Sequence, residues 1–325
     1  MNSDGTVSVD EDGINRAFQA DVLAGLSQQQ KAIPSRWFYD KRGSELFEEI
    51  THLPEYYPTR VEIKILGAHG SEIAWCTGKG RAVVEFGSGS SAKTPLLLNA
   101  IEPAAYVPLD ISGDFLRTSA AELATLFPNL PIHPVDADFM KPVVLPPQVR
   151  TMPKLGFFPG STIGNMVPAT GVDLLRSMHE TLGADAMLLI GLDLIKDSYT
   201  LVAAYDDPGG VTAAFNLNLL HRINRELNGT IPVESFTHEA RWNEVNSRIE
   251  MHLVAQRAVG FEVSGERFTL GEGDTIHTEN SHKYDLSSAY LLLRAGRWTP
   301  LRYWTDTEQD FVLILAEASE PHIAP

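Results

Sequence analysis

The sequence predicts an α/β protein: a Rossmann-like, mostly parallel sheet of seven strands with a C-terminal antiparallel hairpin, joined to a second, α+β domain. Three observations predict it. Residues 81–194 alternate apolar strand runs with helical segments, the pattern of a parallel sheet with crossovers. The first of those strands runs into Glu85-Phe86-Gly87-Ser88-Gly89, a glycine turn that opens a helix. The chain then closes on two strand-like runs, 299–305 and 311–317, joined by the turn residues 306–310.

In chain order, residues 14–26 read as a short amphipathic helix. Tyr39-Asp40-Lys41-Arg42-Gly43-Ser44 is a turn, with Ser44 expected to cap a helix from Glu45 to about Thr51. Glu45, Glu48 and Glu49 fall in its early turns, where the helix dipole favours them. Pro54 and Pro58 are expected to enclose Glu55-Tyr56-Tyr57 in a non-helical segment, and a helix resumes from Arg60 to about Ala74. Parallel strands are expected at 81–86, 104–109, 132–135, 154–158 and 186–192, with helices near 92–101, 112–126 and 170–182. Residues 285–294 read as the helix before the hairpin.

That arrangement leaves 195–284 as an insertion between the fifth strand and its helix. It starts with a largely helical stretch, 199–227, interrupted at Pro208-Gly209-Gly210, and continues with strand-like runs at 247–254, 260–264 and 274–280. An insertion there hangs over the carboxyl ends of the parallel strands, where open α/β sheets bind ligands, and with the N-terminal segment it is expected to form a lid. The expected domains are 60–195 with 285–325, and 10–59 with 196–284.

Composition narrows the function classes. The chain has 325 residues, of which 43% are hydrophobic, enough for substantial cores. No apolar run approaches the ~18 residues needed to cross a bilayer. Met1 to Asn15 is polar and acidic, neither a secretory signal nor a transit peptide, and is expected as a frayed tail. The single cysteine, Cys76, excludes an intrachain disulfide and reads as a core or near-core thiol. A formal charge of −16 argues against nucleic acid as a partner, since that binding draws on a basic footprint. Small-molecule chemistry in the cytoplasm, away from membranes, is the expectation.

The glycine turn carries the chemistry. Gly87 and Gly89 permit positive φ and close backbone approach, and the helix start behind them favours an anionic group. Two chemistries share this outline. Gly87, Lys93 and Thr94 fit a phosphate loop except that Ala92 stands where its second glycine belongs. The run from Met187 to Asp193 can then pose as the Mg²⁺-holding strand of an NTPase. The rival is an S-adenosylmethionine (SAM) site, in which an acid, here Glu85, ends the strand before G-x-G. Such a fold needs a second acid at the end of the next strand, about 20 residues on. Asp110 stands there, 23 residues after Gly87, positioned to accept both ribose hydroxyls. After the third strand, Asp138 offers an acceptor for an adenine amino group and Phe139 a ring to lie against it. The C-terminal hairpin completes the seven-stranded sheet of many SAM-dependent methyltransferases and fits an NTPase poorly.

Other segments have two readings each. Pro159-Gly160-Ser161-Thr162-Ile163-Gly164-Asn165 follows the fourth strand, where amine methyltransferases position the nitrogen to be methylated; the plainer reading is a glycine-rich turn. In residues 276–281, strand alternation puts His277, Glu279 and Ser281 on one face at ~7 Å spacing, able to bracket a ring with two polar edges. Unaided, that run reads as a solvated strand face. Met251 sits on an alternating apolar face and reads as core. Tyr39, Tyr56 and Tyr57 are candidates to cage a cation. The ten histidines show no H-x-x-x-H spacing, so no metal is expected.

Four motifs together resemble the L-histidine Nα-methyltransferases of ergothioneine biosynthesis. They are Phe38-Tyr39-Asp40, Leu53-Pro54-Glu55-Tyr56-Tyr57-Pro58-Thr59-Arg60, Glu85-Phe86-Gly87-Ser88-Gly89 and Phe158-Pro159-Gly160-Ser161-Thr162-Ile163-Gly164-Asn165. The similarity takes in residues 276–284 and spans about 14–318. The resemblance implies a class I SAM-dependent methyltransferase, with SAM contacts at Tyr39, Gly87, Lys93, Asp110, Asp138 and Phe139. It implies Asn165 and Tyr205 at the α-carboxylate of histidine, and Gly160 and Thr162 near the amine, so that Asn165, Tyr39, Gly160 and Thr162 surround the reacting centre. Glu279 and Ser281 would hold the imidazole, with Tyr56, Phe47 and Met251 completing the pocket; the resemblance thus reverses the plain reading of 276–281. The implied partners are L-histidine and its mono- and dimethyl intermediates, and one lid-covered site needs no partner subunit, so a monomer is expected.

Overall fold

The computed structural model describes residues 14–89, 93–111 and 113–319. Residues 1–13 of the expected tail, the middle of the glycine turn (Ser90, Ser91, Ala92) and Ser112 at the expected start of the second crossover helix lie outside the described residues, while Asn15 at the end of that tail caps α1. In chain order come α1 (Arg16–Leu26), β1 (Lys31–Ala32), α2 (Lys41–Thr51), α3 (Tyr57–Thr77), β2 (Ala82–Phe86), α4 (Thr94–Ile101), β3 (Ala105–Asp110), α5 (Gly113–Leu126) and β4 (Val135–Asp136). Then follow β5 (Lys154–Phe158), α6 (Pro168–Leu182), β6 (Met187–Asp193), α7 (Ser198–Ala203), α8 (Val211–Glu226), β7 (Phe236–Asn243), β8 (Arg248–Ala255), β9 (Val259–Val263) and β10 (Glu266–Leu270). The last elements are β11 (Thr275–His282), α9 (Leu286–Ala295), β12 (Trp298–Thr305) and β13 (Phe311–Ala318). Backbone contacts divide them into two compact units, 58–195 with 283–319 and 14–57 with 196–282.

The first unit is a seven-stranded sheet in the order β12-β13-β6-β5-β2-β3-β4. The five strands from β6 to β4 in that order make four parallel pairings, and β13 runs antiparallel to both β6 and β12. The β2 run is buried at all five residues, as a strand covered on both faces must be. Val84, Val107, Phe158, Ile190 and Leu174 lie in its core cluster. The chain moves outward from β2 to β3 and β4, then returns to the other side of β2 with β5. That reversal leaves a crevice at the carboxyl ends of β2 and β5, the usual ligand position in open α/β sheets. The third parallel strand is shorter than the predicted 132–135: Pro131 and Pro134 donate no backbone N–H, and only Val135–Asp136 pairs fully, with an isolated bridge from Ile132 to Tyr106.

The second unit holds a four-stranded sheet, β1-β11-β8-β7, and the hairpin of β9 with β10. Two local expectations change here. Asp40, not Ser44, caps α2: its side chain accepts the Gly43 N–H at 2.7 Å, so the helix starts at Lys41. Asn218 and Arg225 also bond the Asp40 carboxylate. Burial would raise its pKa, but these donors hold it below the usual aspartate value. Tyr57 and Pro58 are not excluded from helix; they begin α3, where a proline in the first turn gives up an N–H that has no helical partner anyway. Cys76, on α3, is half-buried. Strands β7 and β10 were not foreseen, because their outward residues are charged and their apolar alternation is weak.

Candidate cofactor and substrate sites

At the carboxyl end of β2 the backbone turns through Gly87 at φ +72°, and the Gly87 N–H is taken by the Leu109 carbonyl at 2.9 Å. The Phe139 ring lies so close that a Cβ at Gly87 would touch it at 3.5 Å. The Gly89 N–H donates to Asp110 Oδ2 at 3.2 Å. Strand ends β2 and β3 and the segment after β4 thus bring Gly87, Asp110 and Phe139 together, as expected. Phe139 stands edge-on to Phe86 and Phe158, which fixes its plane. Asp138 is exposed, and its Oδ1 accepts the Met140 N–H at 3.1 Å. These groups suit an adenosine: small residues at the turn, a carboxylate at the second strand end, and an aromatic wall.

Glu85 is buried beneath the turn. It accepts hydrogen bonds from Thr94 Oγ1 at 2.8 Å and Tyr106 Oη at 2.6 Å. Burial pushes its pKa up to about 7, against the lowering effect of those two donors and Lys93. Its role is to tie β2, α4 and β3 together under the glycine turn.

Glu62, on α3, escaped the sequence reading. Its carboxylate is fully buried, pairs with Lys93 Nζ at 2.5 Å and accepts the Gly160 N–H at 2.9 Å. Nothing in the sequence signalled it; in the fold, a Cβ at Gly191 would collide with the Glu62 carboxylate. Glu62 thereby joins Lys93, from the glycine turn, to the Pro159-Gly160 loop after β5. That loop is also strapped by Thr162 Oγ1 to the Pro159 carbonyl at 3.0 Å and by Ser161 Oγ to the Asp193 N–H at 3.0 Å. Asn165 closes its 3-10 turn and is half-buried, with no side-chain hydrogen bond to the described residues. Asp193 meets Lys283 in a fully buried ion pair at 2.6 Å, which anchors the end of β6.

In the second unit, aromatic rings gather. Phe47 lies edge-on to Tyr39 at 5.6 Å and to Tyr56 at 6.2 Å between centroids, and Tyr56 continues to Tyr205 at 6.2 Å. Phe215, on α8, touches Tyr39, Phe47 and Phe38 and was missed because it reads as one more core position on its helix. Tyr57 instead carries the Lys196 ammonium over its ring at 4.2 Å. Tyr205 Oη and Ser281 Oγ are 2.7 Å apart, both side chains being buried.

The family model for the SAM-dependent, histidine-specific methyltransferases matches residues 18–318. The chain belongs to that family. Two histidine Nα-methyltransferases, from Mycolicibacterium smegmatis and Mycobacterium tuberculosis, are each 40% identical over 94% of this chain and 96% of their own length. The ergothioneine biosynthesis protein 1 of Neurospora crassa is 28% identical over 89% of this chain, which spans only 33% of that longer protein.

For this methyltransferase one sequence expectation fails on geometry. His277 does not share a face with Glu279 and Ser281. In the register of β11 against β8, His277 pairs with His252 and then Glu279 pairs with Met251, so a bulge at Thr278 intervenes. Paired residues point to the same side of a sheet. Glu279 and Ser281 therefore point with Met251 and Ile249, while His277 and Asn280 point the other way, with His252 and Glu250. The extra residue is pinned: Thr278 Oγ1 donates to Asn216 Oδ1 at 2.8 Å and lies 3.1 Å from the Met251 carbonyl. The second face also gathers Glu250, His252 and His277 from two strands, a grouping that linear histidine spacing could not reveal.

Proposed function

We propose that this protein transfers three methyl groups from SAM to the α-amine of L-histidine, giving N,N,N-trimethylhistidine for ergothioneine biosynthesis. The bulge in β11 carries the reading. By turning both Glu279 and Ser281 to the Met251 side, it sets a carboxylate and a hydroxyl two residues apart, with Tyr205 bonded to the hydroxyl. An imidazole has two nitrogens to match: Glu279 accepts from its N–H, and Ser281 pairs with the other nitrogen. A substrate without those groups leaves buried polar atoms unpaired, which can cost ~10⁴ in selectivity.

SAM supplies an electrophilic methyl on its sulfonium. The groups suited to hold it are Gly87, Asp110, Asp138, Phe139 and Lys93, with Tyr39 at the reacting centre. Asn165 takes the α-carboxylate with Tyr205, and the Gly160 and Thr162 segment orients the amine. The ammonium first loses a proton to solvent; thereafter positioning and desolvation supply much of the rate. Each methylation removes an N–H donor, so the growing cation is held increasingly by shape and by the rings of Tyr39, Phe47 and Tyr56. The unit of 14–57 with 196–282 acts as the substrate-binding domain.

The test is mass spectrometry after incubating the purified protein with SAM and an equimolar amino-acid mixture. Trimethylation of histidine alone is expected. Methylation of a different amino acid would keep the fold and donor but overturn the roles of Glu279 and Ser281.

A further inference from the structure

The side of the second sheet opposite Met251 carries a cluster that histidine methylation leaves unused. His252 and His277 are cross-strand partners whose rings stack, 4.7 Å between centroids and 15° from parallel. Glu250 lies two residues along β8 on the same side, its Oε2 3.3 Å from His252 Nε2. One donor atom from each of the three residues lies within 4.8 Å of the others. We propose that Glu250, His252 and His277 bind a divalent first-row transition-metal ion of the Zn²⁺ type.

The bonds already made by these side chains fit that role. The His277 Nε2 donates to the Glu279 carbonyl at 2.9 Å, since a carbonyl only accepts, and this leaves the lone pair on Nδ1. His252 has Thr275 Oγ1 3.2 Å from its Nδ1. Glu250 engages Arg248 at 2.6 Å and the Asn243 amide at 2.9 Å through Oε1, leaving Oε2 toward His252. Metal-bound histidines commonly donate their other N–H to a carbonyl or similar acceptor, and bound carboxylates are themselves hydrogen-bonded. Asn280, the register partner of Glu250, adds a buried Oδ1 beside His277.

Charge does not forbid an ion here. Glu250 is balanced by Arg248, and Glu239, opposite His252, by Arg241 in a two-pronged pair at 2.7 and 2.8 Å. Ala32, beside His277 on β1, adds none. Two nitrogens and one oxygen suit Zn²⁺, Co²⁺ or Ni²⁺ rather than Mg²⁺ or Ca²⁺, which prefer oxygen. A tetrahedral Zn²⁺ with bonds near 2.0–2.1 Å needs ligand atoms roughly 3.3 Å apart. The three donor atoms, within 4.8 Å of one another, must therefore close by up to about 1.5 Å on binding.

The experiment uses the full chain, stripped with EDTA and titrated with ZnCl₂ in a calorimeter and with CoCl₂ by visible absorption. One ion per chain is expected, with the intense absorption of low-coordinate Co²⁺. His252→Ala or His277→Ala, shown folded by circular dichroism, should weaken Zn²⁺ at least tenfold, and His69→Ala should not. If neither variant folds, Glu250→Gln, which still accepts from Arg248 and Asn243, takes their place in both titrations and should weaken Zn²⁺ at least tenfold. No saturable binding, or binding that survives the folded variants, overturns the site. None of these readouts depends on methyl transfer, so the proposed reaction stands or falls separately.

Discussion

The Tyr205 hydroxyl and the Ser281 Oγ share a hydrogen bond of 2.7 Å, joining the turn after α7 to strand β11. Both side chains are buried, so each hydroxyl is held in one rotamer. Tyr205→Phe keeps the ring against Tyr56 but removes this bond. A neutral hydrogen bond is worth ~0.5–1.5 kcal/mol, which corresponds to about two- to tenfold. The KM for histidine should rise by that factor while the SAM dissociation constant stays put; steady-state kinetics with calorimetry on the variant checks it.

Glu279→Ala removes the carboxylate assigned to the imidazole N–H. A charge-assisted hydrogen bond is worth ~1.5–3 kcal/mol, so the KM for histidine should rise roughly 10- to 100-fold. SAM affinity should barely change. Equal losses for both ligands in a folded variant would contradict the assignment.

Asn165→Ala should lower turnover on the order of 10- to 100-fold, since misplacing a reacting atom by about 1 Å costs that much. Calorimetric titration should still show SAM binding. Loss of that binding would move Asn165 from the substrate to the cofactor.

Glu62→Gln breaks the ion pair with Lys93 but leaves an acceptor for the Gly160 N–H. Removing one partner of a buried pair costs ~3–5 kcal/mol, and the retained acceptor puts this variant near 3 kcal/mol. Urea unfolding should show that loss, together with weaker SAM binding, because Lys93 and the Gly160 loop lose a common anchor. Unchanged SAM affinity would make Glu62 purely a packing residue.

Glu85 makes a signed prediction about pH. Its folded pKa of about 7 lies above the ordinary glutamate value of 4.5, so the folded state holds the proton more tightly. That contribution is fully present below pH 4.5 and is lost as pH rises through 7. It amounts to roughly 3 kcal/mol at most, at about 1.36 kcal/mol per pH unit between the two values. His252 acts oppositely: its folded pKa is lowered, so its contribution grows from about pH 4 to 6.5. The usable quantity is therefore the difference between the unaltered protein and Glu85→Gln, each unfolded in urea at pH 5 and pH 8. The variant should lose less stability on going to pH 8.

Much of the sheet was legible because its strands are long apolar runs bounded by glycine and proline, and the C-terminal hairpin is set off by Asp306 and Asp310. The grouping of Gly87, Asp110 and Phe139 was legible for the same reason: each sits at a strand end or in the segment just after one. Glu62 was not, since its partners Lys93 and Gly160 come from distant segments and only the folded chain brings them together. The Glu250, His252 and His277 grouping was hidden likewise across two strands. Thr278 was misread for another reason. A bulge leaves no mark on composition or hydropathy, and the alternation rule passes straight through it.

Because Thr278 is the extra residue of the bulge, β11 carries one position that its two faces do not need. Deleting Thr278 alone would let Glu279 follow His277 directly, still opposite Met251 and His252 respectively, so each side chain would keep its side of the sheet. Straightening the strand with Thr278 retained would instead set Thr278 opposite Met251 and turn Glu279 to the side of His277, so a relative one residue shorter at this point can keep both faces while one of equal length without the bulge exchanges them.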